Sequence, residues 1–587
     1  MTNLGKIPSW DLTDFYQNIS DPQIDKDLKS LEKDTENFSK KYEGKISQLS
    51  AKELLESIQS YEEISEILGK ISSYSYLIYA SDLSDQNNIS FYQNTSEKLN
   101  SLSTKMVFFT LEINKISDEN IKELLTNEKL ARYQPFIRDV RSFKKFELSN
   151  ELEKFNIDKN VTGKNAFVRL FDETVSNLEF SYEEKTLNSQ EIFDLLSNKD
   201  ENIRKKAAKA IGKTFEKNIK IFAFITNILA KDKETSDKHR GFQTPISSRN
   251  LSNCVEDEIV ETLVTKVKEN YKDISHRYYK IKAKLLGKQN LNHWDRNAPL
   301  SEEESLTSFE DAKDLILEAY GEFNPKIAEI GKTFFEKNWI DAKVIKGKNS
   351  GAFSHPTVPS VHPYILMNYQ GKVRDIMTLA HELGHGVHQC LAKKQGYLMS
   401  DTPLTLAETA SVFGEQLTFQ KILKKETDPK KKKLIIANKV EDMINTVIRQ
   451  IAFLEFERKV HENRKNGELS LDQINKFWMD IQKESLGDVF TFDEEYKYFW
   501  CYIPHFIHSP FYVYSYAFGD CLVNSLYGIY KSNKIEDFEN KYIKMLESGG
   551  TKHHKELLKP FNLDISNPTF WQAGLDVIID YINQLEE

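Results

Sequence analysis

Apolar residues recur at spacings of three and four along most of the first 340 positions, and that rhythm restricts the fold more than any other feature. "DKDLKSLEKDTENFSKKYEGKISQL" and "AKELLESIQSYEEISEILGKISSYSYLIYASDL" show it at length. Residues three or four apart return to one face of an α-helix, so each stretch offers a single apolar stripe to a core. Helix breakers are scarce, with 23 glycines and 15 prolines in 587 residues. Helix is therefore expected over most of residues 20–340, in a mainly α chain large enough for two or more lobes. No fixed-period repeat points to a solenoid. The pattern is interrupted at "LLSNKDENIRKKA", which places a boundary near residue 200, with a helical lobe at 1–200 and a catalytic domain at 201–587.

One region departs from the helical pattern. "KGKNSGAFSHPTVPSVHPYILMNYQG", Lys346 to Gly371, is rich in Gly, Pro, Ser and Asn and ends in the β-prone run "YILMNY". A strand there implies a small sheet just before the next helix. Elsewhere composition mostly excludes. A content of 39% hydrophobic and 29% charged residues suits a soluble protein, and no 18-residue apolar run suggests a membrane span. The start, "MTNLGKIPSWDLTDFYQ", lacks a basic flank and apolar run, so a cytoplasmic protein is expected. Cys254, Cys390, Cys501 and Cys521 are far apart, which argues against disulfides and thiolate metal sites. A net charge of -9 disfavours nucleic acid as a partner. The basic run "DPKKKK" reads as an N-cap at Asp428, Pro429 at the first helical position and a solvated lysine turn.

The chemistry concentrates in "TLAHELGHGVHQ", Thr378 to Gln389, on a helix expected from about Asp375 to Lys394 and stopped by Gly396. His381 and His385 lie one turn apart on one face, so both imidazoles can reach one ion. Glu382 is beside the first histidine and can approach a water on that ion without ligating it. This is the HExxH arrangement of zinc peptidases, as opposed to a solvated histidine face. His388, on the neighbouring stripe, is one candidate third ligand, but three ligands from two turns of one helix fit a tetrahedral ion poorly. In "SDTPLTLAETASVFGEQL", Thr402 and Pro403 suit a helix start, and a short connection makes an antiparallel pair that brings Glu408 back to the histidines. Glu408 is the chosen ligand. Glu415, seven further on, could accept a hydrogen bond from a ligating histidine.

These residues resemble oligoendopeptidase F, a branch of the thimet oligopeptidase family of zinc metallopeptidases. The likeness rests on "PYILMNYQGKVRDIMTLAHELGHGVH", "TPLTLAETASVFGE" and "IPHFIHSPFYVYSYAFGD", with echoes in "WDLTDFY" and "HWDRNAPL" that spread it over nearly the whole chain. It implies two helical lobes around a deep channel, and one zinc ion per chain held by His381, His385 and Glu408. It further implies Glu382 as general base and short unfolded oligopeptides as substrates, with no obligatory protein partner evident. The segment Tyr364 to Tyr369 would pair its edge with the substrate backbone, with Tyr364 and Tyr369 among the substrate contacts.

The last motif contains His505, His508, Tyr512 and Tyr516. Ser509-Pro510 reads as a fresh helix start, with Tyr512 and Tyr516 on one face. By pattern alone these rings could pack a core, or aim a phenol or imidazolium at a developing oxyanion. The resemblance favours the second for His505 and Tyr516, with His508 and Tyr512 as substrate contacts. The chain departs from the thimet branch in lacking its glycine-rich loop here. Three competing readings are a zinc carboxypeptidase, a peptide binder with a vestigial site, and a zinc-stabilised structural protein; the intact Glu382 counts against the second.

Overall fold

The computed structural model describes residues 4–300 and 306–587. It is mainly α-helical, with strands of only two or three residues. The helices begin and end where local chemistry dictates. Ser50 caps Ala51–Ser81 in a reciprocal box with Glu53. Asp428 caps Pro429–Thr446, as the "DPKKKK" run predicts. The 40-residue helix Glu201–Arg240 starts at the Asp200 cap and ends on Gly241, whose φ of 85° is open to glycine at no steric cost.

The chain divides into two compact units, each assembled from three stretches. The first takes residues up to Lys144, Glu304–Lys425 and Asn533–Leu563; the second takes Lys145–Glu303, Glu426–Ser532 and Asp564–Glu587. This division differs from the cut expected near residue 200. The interruption at "LLSNKDENIRKKA" is a helix cap within the second unit, and the chain leaves and re-enters both units further on.

In the first unit, Leu31, Leu54, Ile58, Ile71, Leu77, Phe109 and Ile113 form a fully buried core that Tyr364 and Met399 join. A three-stranded sheet leans on it, with Tyr364–Leu366 central, parallel to Ile340–Asp341 on one side and antiparallel to Phe353–His355 on the other. In the second unit, the helices Tyr514–Lys531 and Pro568–Glu586 pack closely, the latter burying Trp571 completely. All four cysteines are free thiols. Among the described residues no helix is long and apolar enough to cross a membrane.

Candidate metal centre and active site

The HExxH helix runs Val373–Ala392, and a single 3-10 turn leads to Gly396. Its partner runs Leu404–Lys425, one residue later than the Thr402-Pro403 start predicts; the Ala407 N–H donates to the Pro403 carbonyl at 3.0 Å. The two are antiparallel and touch backbone to backbone. A Cβ on Gly384 would lie 2.5 Å from the Ala410 carbonyl oxygen and 2.7 Å from Ser411 Cα. Only glycine permits that approach, and the approach brings carboxylates to the histidines. The buried Tyr320 hydroxyl donates to the Ala380 carbonyl at 2.6 Å and also abuts Gly414 of the partner helix.

Three side chains converge. Glu408 Oε2 lies 3.3 Å from His381 Nε2 and 3.5 Å from His385 Nε2, and the two rings stand 4.9 Å apart at 80°. The ligand atoms of His381, His385 and Glu408 all fall within 4.8 Å of one another. Glu415 Oε2 sits 3.3 Å from His381 Nδ1. A carboxylate can only accept, so the proton belongs on Nδ1 and Nε2 is left to ligate. Ser411 Oγ donates to Glu408 Oε2 at 2.7 Å and fixes the carboxylate's orientation. Two imidazole nitrogens and one carboxylate oxygen, with one side open, are a donor set suited to a divalent ion that keeps a site for water.

The electrostatics follow from burial opposed by charge. Burial would lower the His381 imidazole, but the Glu415 hydrogen bond and the carboxylates of Glu408, Glu382 and Glu415 push it up to about 9. Burial holds His385 down at about 4 despite Glu408. Glu408 is disfavoured as an anion by burial, yet the two histidines and Ser411 bring it below the usual range. Glu382 is raised to about 7 by burial, against the His381 charge. His388 is buried outside the triad and held near 4, chiefly by burial. A cleft of about 550 Å³ opens beside His385, lined by His388, Gln389, His355, Pro356, Val361 and Tyr397 among others.

Tyr364 and Tyr369, expected among the substrate contacts, are fully buried. Tyr364 donates to the Asp11 carbonyl at 2.8 Å and packs on Trp10 and Phe15. Tyr369 donates to the Thr307 carbonyl at 3.0 Å. Nor is the Tyr364 strand an edge: Tyr364–Leu366 is paired on both sides, Tyr369 lies beyond its end, and the outer strand beside the HExxH helix is Phe353–His355. That strand is tied down by Gln389, which accepts from Ser354 Oγ at 2.9 Å and donates to the Ser354 carbonyl at 3.2 Å. The sequence reading missed Ser354, Gln389 and Ser411. For Ser411 a signal existed, since it stands three residues after Glu408 on the same helix.

The histidine–tyrosine motif belongs wholly to the second unit, whereas the triad belongs to the first. His505 and His508 occupy a one-turn helix, and the next helix starts at Tyr514 instead of Ser509-Pro510 because Phe511 adopts a left-handed φ of 61°. Tyr512 thus lies in the turn. Its ring is nevertheless 5.2 Å from that of Tyr516, and Tyr516 Oη is 3.3 Å from His505 Nε2. These three rings are partly exposed, unlike the buried Tyr514 between them. His508 Nε2 instead contacts Asp172 at 2.7 Å.

Residues 194–577 match the model of Peptidase family M3, and residues 112–180 match that of Oligopeptidase F. An oligoendopeptidase F homolog of Borreliella burgdorferi is 31% identical over 96% of this chain and 95% of its own. Oligopeptidase PepF of Bacillus subtilis is 27% identical over 99% of this chain and 87% of its own. Oligoendopeptidase-F from Enterococcus faecium shares the fold, with a TM-score of 0.74 and 21% identity over 96% of this chain and 98% of that one. The chain belongs to peptidase family M3, in its oligoendopeptidase F branch, and is a metalloendopeptidase of oligopeptides.

Proposed function

We propose that this endopeptidase is zinc-dependent, with His381, His385 and Glu408 holding one ion and Glu382 serving as general base, and that it cuts internal bonds of short unstructured peptides. The observation that carries this reading is the shared oxygen: both Nε2 atoms face the same Glu408 Oε2, at 3.3 and 3.5 Å. When bound, the ion supplies Lewis acidity to the water and the scissile carbonyl. Glu415 keeps the His381 tautomer that leaves Nε2 free, and Ser411 orients Glu408. Glu382 is next to a ligand but outside the triad, placed to take a proton from the attacking water and deliver it to the leaving amine. His505 and Tyr516, with Tyr512 beside them, are assigned to substrate, where an imidazole or phenol can donate to the developing oxyanion. A peptide backbone would add along Phe353–His355, the outer strand nearest Glu382, in place of Tyr364–Tyr369.

Digestion of a mixed peptide library, read by mass spectrometry with and without a chelator, tests this. Internal cuts that persist when the C-terminus is amidated and stop with chelator support it. Removal of single C-terminal residues would favour a carboxypeptidase, and cleavage indifferent to chelator would overturn the metal assignment.

A further inference from the structure

Glu457 lies in the middle of the helix Ile448–Arg464 and is 2% exposed. Its Oε1 accepts a hydrogen bond from the Phe511 backbone N–H at 2.8 Å. Its Oε2 meets no donor among the described residues, and the residue lines a small cavity of about 30 Å³ walled by Phe171, Phe222, Phe456, Trp500 and Phe506. A buried carboxyl held by one amide is a poor device for stability, because an apolar side chain would fill this space without desolvating a polar oxygen. Burial raises it to about 8, against the Phe511 amide and the charges of Arg249 and Lys233, which favours the neutral form.

What Glu457 holds is an unusual piece of backbone. Phe511 is fully buried at a φ of 61°, which a bulky side chain adopts only when its surroundings impose it. Its ring packs 4.8 Å from that of His461, one turn further along the Glu457 helix. Arg249 Nε ties the preceding residue, donating to the Pro510 carbonyl at 3.2 Å. Residues 509–513 form the sharp corner between the one-turn helix of His505 and the helix of Tyr516. Across this corner His505 Nε2 and Tyr516 Oη stand 3.3 Å apart.

We propose that Glu457 is a positioning residue: by accepting the Phe511 amide it fixes this corner, and through it the arrangement of His505, Tyr512 and Tyr516 on substrate. The inference rests on the assignment of that cluster to substrate under Proposed function. The test compares E457M, which removes the acceptor, with E457Q, which keeps it in a neutral group of the same shape. kcat and KM are measured on an internally quenched peptide, alone and in a Tyr516→Phe background. E457M is expected to lower kcat about tenfold with KM little changed, and E457Q to restore most of it, since a misplacement well under 1 Å suffices for such a loss. In the Tyr516→Phe background E457M should add little, because both changes act through one cluster.

Folded E457M with wild-type kcat, or a full tenfold loss on top of Tyr516→Phe, overturns the proposal. Unchanged kinetics in both Tyr516→Phe and His505→Ala would sink the substrate assignment and the proposal with it, while leaving the metal triad standing. Should E457M not fold, amide hydrogen exchange in the wild type and E457Q decides. Strong protection at Phe511 in both is expected, and free exchange there refutes the clamp.

Discussion

Gly384 sits inside the HExxH segment, and replacing it with alanine perturbs the triad without touching a ligand. The new Cβ would lie 2.5 Å from the Ala410 carbonyl oxygen and 2.9 Å from the Ala410 carbonyl carbon, whereas ordinary contact begins near 3.4 Å. Both obstacles are backbone of the Glu408 helix, so no side chain can swing aside. The helices must separate by about 0.9 Å, at a cost of roughly 1–3 kcal/mol from overpacking. Alanine recovers ~1 kcal/mol of helix propensity over glycine, which leaves a net loss of about 0–2 kcal/mol. The larger effect is on geometry. Glu408 Oε2 would withdraw from nitrogens now 3.3 and 3.5 Å away, and a shift of that size is worth about 10²-fold in rate. Zinc affinity by competition with a chelating dye, together with kcat/KM, reads the effect. Gly386→Ala is the control: its Cβ meets the Phe334 ring at 2.5 Å on another flank of the same helix, so stability should fall while metal affinity holds. If Gly384→Ala keeps wild-type affinity and rate, backbone contact between these helices does not set the site.

Other outcomes follow from the same geometry. Glu382→Gln should retain zinc and lose about 10²–10⁴-fold in kcat; wild-type turnover would remove Glu382 from its role. Tyr364→Phe gives up the 2.8 Å bond to the Asp11 carbonyl, so stability should drop by about 1 kcal/mol with KM unchanged; a changed KM would return Tyr364 to the substrate. Burial depresses His461 from 6.5 to about 3, with Lys233 and Lys465 reinforcing it. The unfolded chain therefore binds the extra proton first as the solution is acidified. The neutral ring's contribution is intact above pH 6.5 and is lost between there and about 3, at up to ~1.4 kcal/mol per pH unit. His461→Phe should flatten the fall in urea midpoint between pH 7.5 and 5; an unchanged slope contradicts this.

The convergence of the two histidines and the glutamate was legible because its geometry is local. A four-residue spacing on one helix and a short return connection put His381, His385 and Glu408 within reach of one another, and the seven-residue step from Glu408 placed Glu415 beside His381. The helical class was legible for the same reason, being written in periodicity and caps. What escaped depends on contacts distant in sequence. "YILMNY" reads equally as an edge or a central strand, because an unbroken apolar run does not say what covers each side. The Ile340–Asp341 and Phe353–His355 strands cover both, and Trp10 and Phe15 bury Tyr364. Ser509-Pro510 resembles a helix start, yet Phe511 adopts a left-handed φ and gives its amide to Glu457, 54 positions away. The units interleave three stretches each, and no compositional change marks where the chain crosses.

The proposed reaction needs one ion at the meeting point of two helices. Metal content per chain, measured together with X-ray absorption at the zinc edge, tests this directly. One zinc per chain is predicted, with two imidazole nitrogens and carboxylate oxygen in its shell, and it should be lost on His385→Ala while the helical circular dichroism persists. Zinc retained undiminished by His385→Ala, or a shell without imidazole, would contradict it.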